Sequence, residues 1–564
     1  MTGELPIGLI LVVGGLLAPL VPKTLRGAFL LALPLLALAQ MISLSPGQSV
    51  TVEAFGVTLE TVRVDRLSLA FGYIFGIAAL LNVIFAWHVR DGIETPVALV
   101  YAGSAICAVF AGDMVTLIVF SELSALTSVV VIWCGGTERA RSAGLRYITI
   151  QLLSGMLLLA GAAIRYAESG SLKFDWIGLD GPGGLMILVA FGVKCAFPLL
   201  HNWVQDAYPE ATATGTVVLS AFTTKLGIYA LARAFSGTEE LVYVGMLMAA
   251  FPIFYAVIEN DLRRVLAYSL NNQLGFMVVG IGLGTEMGLN GAVGHAFAHI
   301  LYKALLFMSM GAVLFRAGTV NGTDLGGLYK SMPLTTGFCI VGAASISAFP
   351  LFSGFVTKSM IMASAADEGY LFVWLVLLFA SAGVFHHAGI KIPYFAFFAH
   401  DSGIRCKEAP ANMLIAMGIA AFLCIGIGIF PNVLYAILPT PVTYVPYTAG
   451  HVVAQLQLLV FSAIAFGFLM RTGIYPPEMR SVNLDSDWFY RRLAPSLVRA
   501  AEHGINFARS AAMGLFVKTL GGIAHLFLDQ HRPTAFLART WSTSGMALGV
   551  MVILLAYLMG YYVL

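Results

Sequence analysis

The chain has 564 residues, of which 59% are hydrophobic and only 11% charged, and its formal net charge is +2. This composition excludes an ordinary soluble domain and indicates a protein that crosses a membrane many times. The nearly neutral charge gives no reason to expect a nucleic-acid partner. The six cysteines form no CxxC pair and no zinc-spaced cluster, so neither a metal site nor another cofactor is predicted.

Apolar segments of about 20 residues, the length that a bilayer requires, follow one another along the chain. We predict about sixteen spanning helices, at residues 5–22, 26–44, 66–88, 95–112, 114–133, 146–165, 184–204, 213–234, 240–258, 263–284, 290–314, 335–361, 370–390, 411–431, 450–470 and 543–563. Basic residues concentrate in alternate loops, and the positive-inside rule then places the N-terminus outside the cell. The polar stretch 471–542 would lie on the cytoplasmic side.

Within that stretch, apolar residues recur at helical spacing from Ser496 to Asp529, opposite a polar face that includes Arg499, Glu502 and Lys518. The pattern predicts a long amphipathic helix along the membrane surface or along neighbouring subunits. An ordinary interfacial helix and a brace that couples subunits both fit the pattern.

Charged side chains stand inside several of the apolar segments, namely Glu122, Lys194, Lys225, Lys303 and Lys358. One ionised group at the centre of a bilayer costs roughly 2.5–3.5 kcal/mol if it is left unpaired. These residues must therefore be paired, hydrated or shifted in pKa, and intramembrane groups of this kind usually belong to an ion or proton path.

Two of the predicted spans carry helix-disrupting residues beside a charge. Lys194 precedes Pro198 in FGVKCAFPLLHNWVQDAYPEA, and Lys358 follows Pro350 in SAFPLFSGFVTKSM. Broken helices at membrane depth are tolerated where they line a cavity or an ion site, and corresponding breaks in two halves of a chain are typical of inverted-repeat transporters.

A row of titratable groups is predicted on the eleventh span. His295, His299 and Lys303 have the spacing i, i+4, i+8 and share one helix face. Imidazole changes charge near neutral pH and relays protons, although a histidine on an apolar face is also often a simple core residue. His386 and His387, in FHHAGIKIPY, fit the cytoplasmic end of a proton path and the core equally well, whereas we interpret Lys391 as a topology-setting residue.

Several motifs make the chain recognisable: FSELSALTS, FGVKCAFPLLHNWVQDAYPEA, LSAFTTKLGIYALAR, DLRRVLAYSLNNQLGFMVVGIGLG, HAFAHILYKALLFMSMGA and SAFPLFSGFVTKSM. In this order they resemble the antiporter-like subunits shared by Mrp-type cation/proton antiporters and respiratory complex I. The resemblance covers residues 60–430 and implies an all-α polytopic membrane fold with a fourteen-helix core, in which two inverted five-helix repeats contain the broken helices. The C-terminal part additionally resembles the extension of L-type complex I subunits, with its amphipathic lateral helix and a final transmembrane helix.

The spans and the resemblance together imply a division of the chain. N-terminal transmembrane helices occupy 1–94, a proton-conducting core 95–390 with repeats at 95–235 and 240–390, C-terminal transmembrane helices 391–470, a cytoplasmic-side amphipathic segment 471–542, and a final transmembrane helix 543–564.

Taken residue by residue, the resemblance implies roles in proton translocation. Glu122 and Lys194 match the family's ion pair on the fifth and the broken seventh helix, and Lys225 matches the eighth-helix lysine that links the two half-channels. The family's H-x3-H-x3-K run is matched by His295, His299 and Lys303. Lys358 matches a position on the broken twelfth helix where some members have glutamate.

The chain contains no phosphate-binding loop, dinucleotide fingerprint or iron–sulfur cysteine array, so its energy source must be an ion gradient or a partner. The resemblance implies a subunit of a multisubunit Na+/H+ antiporter, an ion-translocating subunit rather than an enzyme. Its expected partners are other membrane subunits, H+, Na+ and the lipid of a bacterial inner membrane. Two alternatives remain: a proton-pumping subunit of a complex I or membrane-hydrogenase complex, favoured by the C-terminal extension, and the membrane partner of an inorganic-carbon uptake complex.

Overall fold

The structure is a computed structural model that describes residues 6–54, 56–89, 92–476, 478–479 and 483–563, except for the side chains of residues 537 and 563. The extreme N-terminus, whose external location was predicted, lies outside the described residues. The chain divides into two units, Met1–Asp485 and Ser486–Leu564.

Among the described residues the fold is all-α apart from one hairpin, and helix occupies every predicted span. The main helices of the first unit are Leu9–Leu17, Lys23–Ile42, Arg66–Phe85, Glu94–Val109, Met114–Trp133, Glu138–Ser169, Gly181–Lys194, Asn202–Ala207, Gly215–Leu219, Thr223–Ala234, Glu240–Ile258, Leu262–Leu283, Glu286–Ala317, Pro333–Ile346, Ser353–Asp367, Leu371–Val384, Ala411–Ile429, Pro431–Tyr435 and Ala449–Thr472. Among the described residues, 12 helices are long and apolar enough to cross a membrane, and four shorter apolar helices accompany them. The chain is therefore a polytopic membrane protein, as predicted.

The helices between residues 94 and 234 form a consecutive series. Met114–Trp133 packs against its neighbours on both sides, Glu94–Val109 and Glu138–Ser169, and the latter packs against Gly181–Lys194. Thr223–Ala234 closes the series by packing against Gly181–Lys194. Because nearly every residue of Thr223–Ala234 is buried, Lys225 on this helix is screened from lipid.

The helices from residue 240 onward form a second series around one central helix. Glu286–Ala317 packs against Leu262–Leu283, Pro333–Ile346, Ser353–Asp367 and Ala411–Ile429. Nearly all residues of this helix from Asn290 to Val313 are buried. Thr223–Ala234 also packs against Leu262–Leu283 and Glu286–Ala317. The helix that carries Lys225 therefore joins the two series.

The two helix breaks share a sequence and a backbone conformation. Residues 196–199 and 348–351 both read Ala-Phe-Pro-Leu. In each, the alanine and the leucine have positive φ: 61° and 69° for Ala196 and Leu199, 56° and 72° for Ala348 and Leu351. A positive φ is costly for residues other than glycine, and strained backbone of this kind clusters at functional sites. The predicted breaks are thus present in the same form twice, 152 residues apart (348 minus 196).

A β-hairpin between the second and third spans was not predicted. Strands Ser49–Ala54 and Val57–Arg63 pair antiparallel, with Val52 opposite Leu59 and an irregularity between Val50 and Thr51. The hairpin is joined to the turn after helix Glu94–Val109, where the amide of Gly112 donates to the Glu60 carbonyl oxygen at 2.9 Å.

The second unit contains the helices Ala494–Gln530 and Thr543–Val563. The first has 37 residues and would be about 55 Å long at 1.5 Å per residue. It confirms the long helix predicted over residues 496–529. None of its residues is buried, so its leucine, isoleucine and phenylalanine side chains are exposed.

Asp65 provides a test of the packing at the hairpin end of the first unit. It caps the helix Arg66–Phe85 by accepting from the Ser68 amide at 2.8 Å, and its carboxylate lies 2.8 Å from the buried Arg233 guanidinium. We expect Asp65→Ala to lower the free energy of unfolding by about 1–3 kcal/mol, because a cap and a charged hydrogen bond are lost together. The measurement is thermal unfolding of the detergent-solubilised protein.

Asp401→Ala is the matched control. Asp401 also contacts two basic residues, Lys330 and Arg405, at 2.8 Å each, but all three side chains are 38–53% exposed. Exposed ion pairs contribute little, so this variant should unfold close to the wild-type temperature. Equal losses in the two variants would contradict a structural role specific to Asp65.

Candidate proton path

Glu122 and Lys194 form an ion pair inside the first series of helices. Glu122 lies on the helix Met114–Trp133, and Lys194 is the last residue of Gly181–Lys194, directly before the first break. The Lys194 Nζ is 3.4 Å from Glu122 Oε1, and the two side chains are 4% and 21% exposed. Gly155 faces the Glu122 carboxyl group so closely that a methyl group there would overlap it. The helix break and the lack of a side chain at Gly155 together make room for the ion pair.

Lys225 lies next to a third break, which was not predicted. The eighth span is interrupted between helices Gly215–Leu219 and Thr223–Ala234. The buried Lys225 Nζ donates to the Ser220 carbonyl oxygen at 2.6 Å and to Thr224 Oγ1 at 3.2 Å. Backbone carbonyls at a helix end lack intrahelical donors, so the break supplies the acceptors that a buried ammonium needs.

Lys358 is satisfied in the same way. Its Nζ donates to the carbonyl oxygen of Ile346 at 3.0 Å, the last residue of the helix before the second break. The ammonium also lies 5.0 Å from the centroid of the Phe276 ring, a cation–π distance. The structure shows no carboxylate partner for Lys358 among the described residues.

The row on the central helix is buried completely, but its members differ in hydrogen bonding. His295 Nδ1 lies 3.0 Å from Thr357 Oγ1, and its Nε2 lies 3.1 Å from Gln273 Oε1. Both ring nitrogens of His299 and the Nζ of Lys303 have no protein hydrogen-bond partner in the described part of the chain. Buried polar groups are normally satisfied by protein or by ordered water. We therefore expect water at His299 and Lys303.

The helices that carry the predicted residues pack against one another. The Cys195 thiol, next to Lys194, lies 3.9 Å from the carbonyl oxygen of Thr224, the neighbour of Lys225. Lys225 lies within electrostatic range of Lys303, and His299 within range of Lys225, Lys303, His295 and Lys358. The seven sequence-predicted site residues therefore lie on one connected group of helices that runs from the first series into the second.

His386 and His387 lie in the π-helix Phe385–Ile390. His387 is fully buried, interacts electrostatically with Lys303, and lies within hydrogen-bonding reach of the Gly383 backbone. Its role at the end of a proton path stays a prediction.

Lys391 corrects the interpretation made from sequence. It is fully buried rather than a loop residue, and its Nζ donates to the carbonyl oxygens of Ala256, Val257 and Glu259 at 2.7–3.2 Å. Glu478, in the loop after the helix Ala449–Thr472, lies 2.9 Å from the same Nζ. Burial raises the pKa of the Glu478 carboxyl group above its ordinary value, although the positive charge of Lys391 opposes the rise.

A second acid from the same loop also reaches the helices. Asp485 Oδ2 lies 3.2 Å from His201 Nε2, just beyond the first break, and accepts from the Tyr268 hydroxyl at 2.9 Å. Sequence reasoning missed Glu478 and Asp485, because both lie in a polar stretch far from the motifs. Among the described residues, no three His, Cys, Asp or Glu side chains are grouped as metal ligands would be.

Comparison with known proteins places this arrangement in a family. Residues 111–385 match the model of the NADH:quinone oxidoreductase/Mrp antiporter transmembrane family. The chain is also 30% identical to the N subunit of NADH-quinone oxidoreductase from Desulforudis audaxviator over 354 residues, 57% of this chain and 70% of that protein. The chain belongs to this antiporter-like family. It is 29% identical to a Na+/H+ antiporter subunit of Alkalihalophilus pseudofirmus over 304 residues, 49% of this chain and 62% of that relative's length.

Solved structures from the family have the same fold. A chain of the Mrp complex from Dietzia sp. matches with a TM-score of 0.71 at 22% identity, covering 83% of this chain and 99% of that one. A chain of an archaeal membrane-bound sulfane sulfur reductase, a respiratory membrane complex, matches with a TM-score of 0.71 at 23% identity, covering 98% and 100%.

The Lys391–Glu478 contact leads to a stability prediction within this family fold. Glu478→Ala leaves the buried Lys391 charge without its carboxylate, which should lower the free energy of unfolding on the order of 3 kcal/mol. Glu502→Ala, which removes an exposed carboxylate from the amphipathic helix, is the control. Tryptophan fluorescence during thermal unfolding in detergent reports both variants. If they unfold at the same temperature, the contact with Lys391 does not stabilise the protein.

Proposed function

We propose that the chain is the proton-translocating subunit of a multisubunit monovalent cation/proton antiporter, which exchanges internal Na+ for external H+ across a bacterial plasma membrane. In this proposal the N-terminus is external, the chain has no enzymatic centre of its own, and other membrane subunits complete the complex. The observation that carries the proposal is the ion pair between the buried Lys194 and the partly exposed Glu122, beside a helix break and connected to Lys358 by buried titratable groups. Family membership and the similarity to a Na+/H+ antiporter subunit support it.

The ion pair acts as a proton switch in this account. Burial favours the neutral form of an amine, whereas a nearby carboxylate favours its charged form. A change in the 3.4 Å separation of Glu122 and Lys194 therefore alters whether the proton stays on the lysine or moves to the carboxylate. The broken helix that ends at Lys194 is the natural place for such a movement, because interrupted helices lack continuous hydrogen bonding.

Repulsion between like charges would pass the signal onward. Lys225 and Lys303 interact electrostatically, so a proton on one disfavours a proton on the other. His299 interacts electrostatically with both Lys225 and Lys358. Its imidazole ring accepts or returns a proton without a large movement. Lys358 is the last member of the set and releases or receives the proton there.

A redox-driven pump subunit is the second candidate. The C-terminal arm, which contains the helices Ala494–Gln530 and Thr543–Val563, favours it. The respiratory reductase chain aligns with 98% of this chain, including the arm, whereas the Mrp chain aligns with 83%. Both candidates use the same buried groups. They differ in what supplies the energy, an ion gradient or electron transfer in a partner.

Glu122→Gln tests the proposal most simply. The amide is nearly isosteric but cannot ionise, so ion-linked proton movement should be abolished while the complex still assembles. Proton movement is followed with a pH-sensitive dye in inverted membrane vesicles after addition of NaCl, and assembly by native electrophoresis. Wild-type rates in the variant would remove Glu122 from the path. A wild-type response to reductant but not to Na+ or K+ would favour the redox alternative.

Gly155→Ala tests the position of the carboxylate without changing any ionisable group. The added methyl group would overlap the Glu122 carboxyl group, so this group must move from its present position beside Lys194. A misplacement of about 1 Å can cost on the order of 100-fold in rate, so we expect at least about a tenfold loss of proton flux. Gly467→Ala is the control, since no atom lies within 4 Å of its added methyl group. Equal flux in the two variants would contradict the need for close pairing.

A further inference from the structure

The two ring nitrogens of His295 face groups of different kinds. The ring is fully buried on the central helix. Its Nε2 lies 3.1 Å from Gln273 Oε1, on the helix Leu262–Leu283. Its Nδ1 lies 3.0 Å from Thr357 Oγ1, on the helix Ser353–Asp367. An amide oxygen only accepts hydrogen bonds, whereas a hydroxyl group both donates and accepts, so the two sides of the ring allow different protonation.

The orientation of the Gln273 amide follows from a backbone carbonyl. Asn272 Nδ2 donates to the Ala249 carbonyl oxygen, which only accepts, so Asn272 turns its Oδ1 toward Gln273. Gln273 Nε2 donates to that oxygen and thereby leaves its own Oε1 facing His295. Flipping either amide would place two acceptors against each other inside the protein.

The oriented amide requires a proton on His295 Nε2. Gln273 Oε1 has no hydrogen to give, and it already accepts from the Tyr302 hydroxyl at 3.2 Å. The 3.1 Å contact between Nε2 and this oxygen is therefore a hydrogen bond only if Nε2 carries the hydrogen. The neutral ring is then the Nε2–H tautomer, with its lone pair on Nδ1.

The Nδ1 side accommodates both charge states of the ring. Thr357 Oγ1 lies 3.1 Å from the Ser353 carbonyl oxygen as well as 3.0 Å from His295 Nδ1. When the ring is neutral, the Thr357 hydroxyl donates to Nδ1. When Nδ1 carries a proton, it donates to Thr357 Oγ1, and the hydroxyl donates to the Ser353 carbonyl instead. Neither state leaves one of these buried groups unpaired.

We propose that Asn272 and Gln273 form a tautomer lock, which keeps one proton on His295 Nε2 and restricts exchange of the transported proton to Nδ1. The lock rests on the proposed proton translocation and defines how one of its histidines is used. His295 stores a proton on the side of the broken helix that carries Lys358, and does not pass protons from one ring nitrogen to the other. Asn272 and Gln273 are positioning residues.

Protons and charge balance in this exchange. The Thr357 hydroxyl turns to the Ser353 carbonyl, which frees the Nδ1 lone pair, and one transported proton added there converts the neutral ring into the imidazolium ion. Loss of the same proton restores the neutral ring. Thr357 keeps its own hydrogen throughout, and neither amide gains or loses one.

The tautomer of His295 is observed directly by 15N NMR of the reconstituted complex with labelled histidine, because protonated and unprotonated ring nitrogens have different chemical shifts. The chain has 11 histidines, so the His295 signals are those that disappear in His295→Asn. We expect the neutral ring to carry its proton on Nε2. A neutral ring with the proton on Nδ1, or a ring that keeps both protons even in alkaline buffer, would overturn the proposal.

Gln273→Met removes the lock with little change of shape. The Tyr302 hydroxyl, 3.3 Å from His295 Nε2, is then free to donate to it, so the proton of the neutral ring should move to Nδ1. A wrong histidine tautomer costs about 10⁴-fold in a serine protease, so we expect at least about a tenfold loss of proton flux. Asn272→Leu replaces no hydrogen-bond partner of His295, yet it should act in the same direction, because the Gln273 amide loses the group that orients it.

Asn290→Leu is the control for the loss of a buried amide. Asn290 lies on the same helix as His295 and is 2% exposed, but its amide donates to Thr440 Oγ1 at 2.7 Å, outside the lock. This variant should keep the wild-type tautomer and nearly the wild-type flux. Flux is measured in vesicles that contain the whole complex, with assembly checked by native electrophoresis.

Thr357 has two near-isosteric substitutes that test the Nδ1 side. Thr357→Val removes the hydroxyl that pairs with both charge states and should lose at least about tenfold in flux, whereas Thr357→Ser keeps the hydroxyl and should retain most of it. Equal losses in the two variants would show that the residue serves packing and would contradict its part in the exchange.

The outcomes separate the lock from the function on which it rests. If Gln273→Met and Asn272→Leu keep the wild-type tautomer, the lock is wrong, and an inactive Glu122→Gln leaves the proposed function standing. If Asn290→Leu changes the tautomer as much as they do, loosened packing is the cause and the lock is also wrong. If the tautomer changes as expected while flux stays at the wild-type rate, His295 does not exchange the transported proton. The NMR result decides the lock even if Glu122→Gln transports normally and the proposed function fails.

Discussion

The cost of placing positive charges inside an apolar bundle is the constraint on which this structure depends. Four lysines of the proposed proton path are almost completely buried, at 0–3% exposure. Their surroundings differ: Lys194 pairs with a carboxylate, Lys225 and Lys358 donate to backbone carbonyls at helix breaks, and Lys303 has no protein hydrogen-bond acceptor among the described residues. A lysine that depends on weak or movable acceptors can change its protonation state, whereas one in a closed salt bridge resists that change. The breaks are therefore part of the electrostatics, because they expose the acceptors that intact helices would use internally.

The repeated Ala-Phe-Pro-Leu break shows how one backbone device serves both halves. In both copies the phenylalanine amide reaches back five residues, from Phe197 to the Gly192 carbonyl and from Phe349 to the Ala344 carbonyl, at 2.9 and 3.0 Å. The two breaks lie differently relative to their lysines. Lys194 directly precedes the first break, and Lys358 follows the second by about two helical turns. The described helices of the second half carry no carboxylate comparable to Glu122. Glu478, brought in by the loop after the helix Ala449–Thr472, places an acid beside the buried Lys391 of that half.

Much of this arrangement was readable in the sequence, for physical reasons that particular residues make clear. Charges in apolar spans, and prolines beside them, drew attention to Glu122, Lys194 and Lys358. Both features cost free energy in a membrane, so their presence indicates a role. The hairpin Ser49–Arg63 was not predicted although its alternating valines and threonines are typical of a strand, because strands of six and seven residues give no apolar run of membrane length. The break beside Lys225 has no proline, and the hydrogen bond from Asn272 to the Ala249 carbonyl joins residues 23 apart that carry no charge. Lys391 and Glu478 were missed because a pairing over 87 positions (478 minus 391) leaves no periodic signal.

The central claim is that Glu122 gains and loses a proton during each transport cycle. Infrared difference spectroscopy on the reconstituted complex, with and without the driving ion gradient, observes this directly through the C=O stretch of a protonated carboxyl group. The account predicts a carboxyl band that appears or disappears with the gradient, shifts in D2O and is absent in Glu122→Gln. A Glu122 side chain that stays in one protonation state while the wild-type complex transports ions would contradict it.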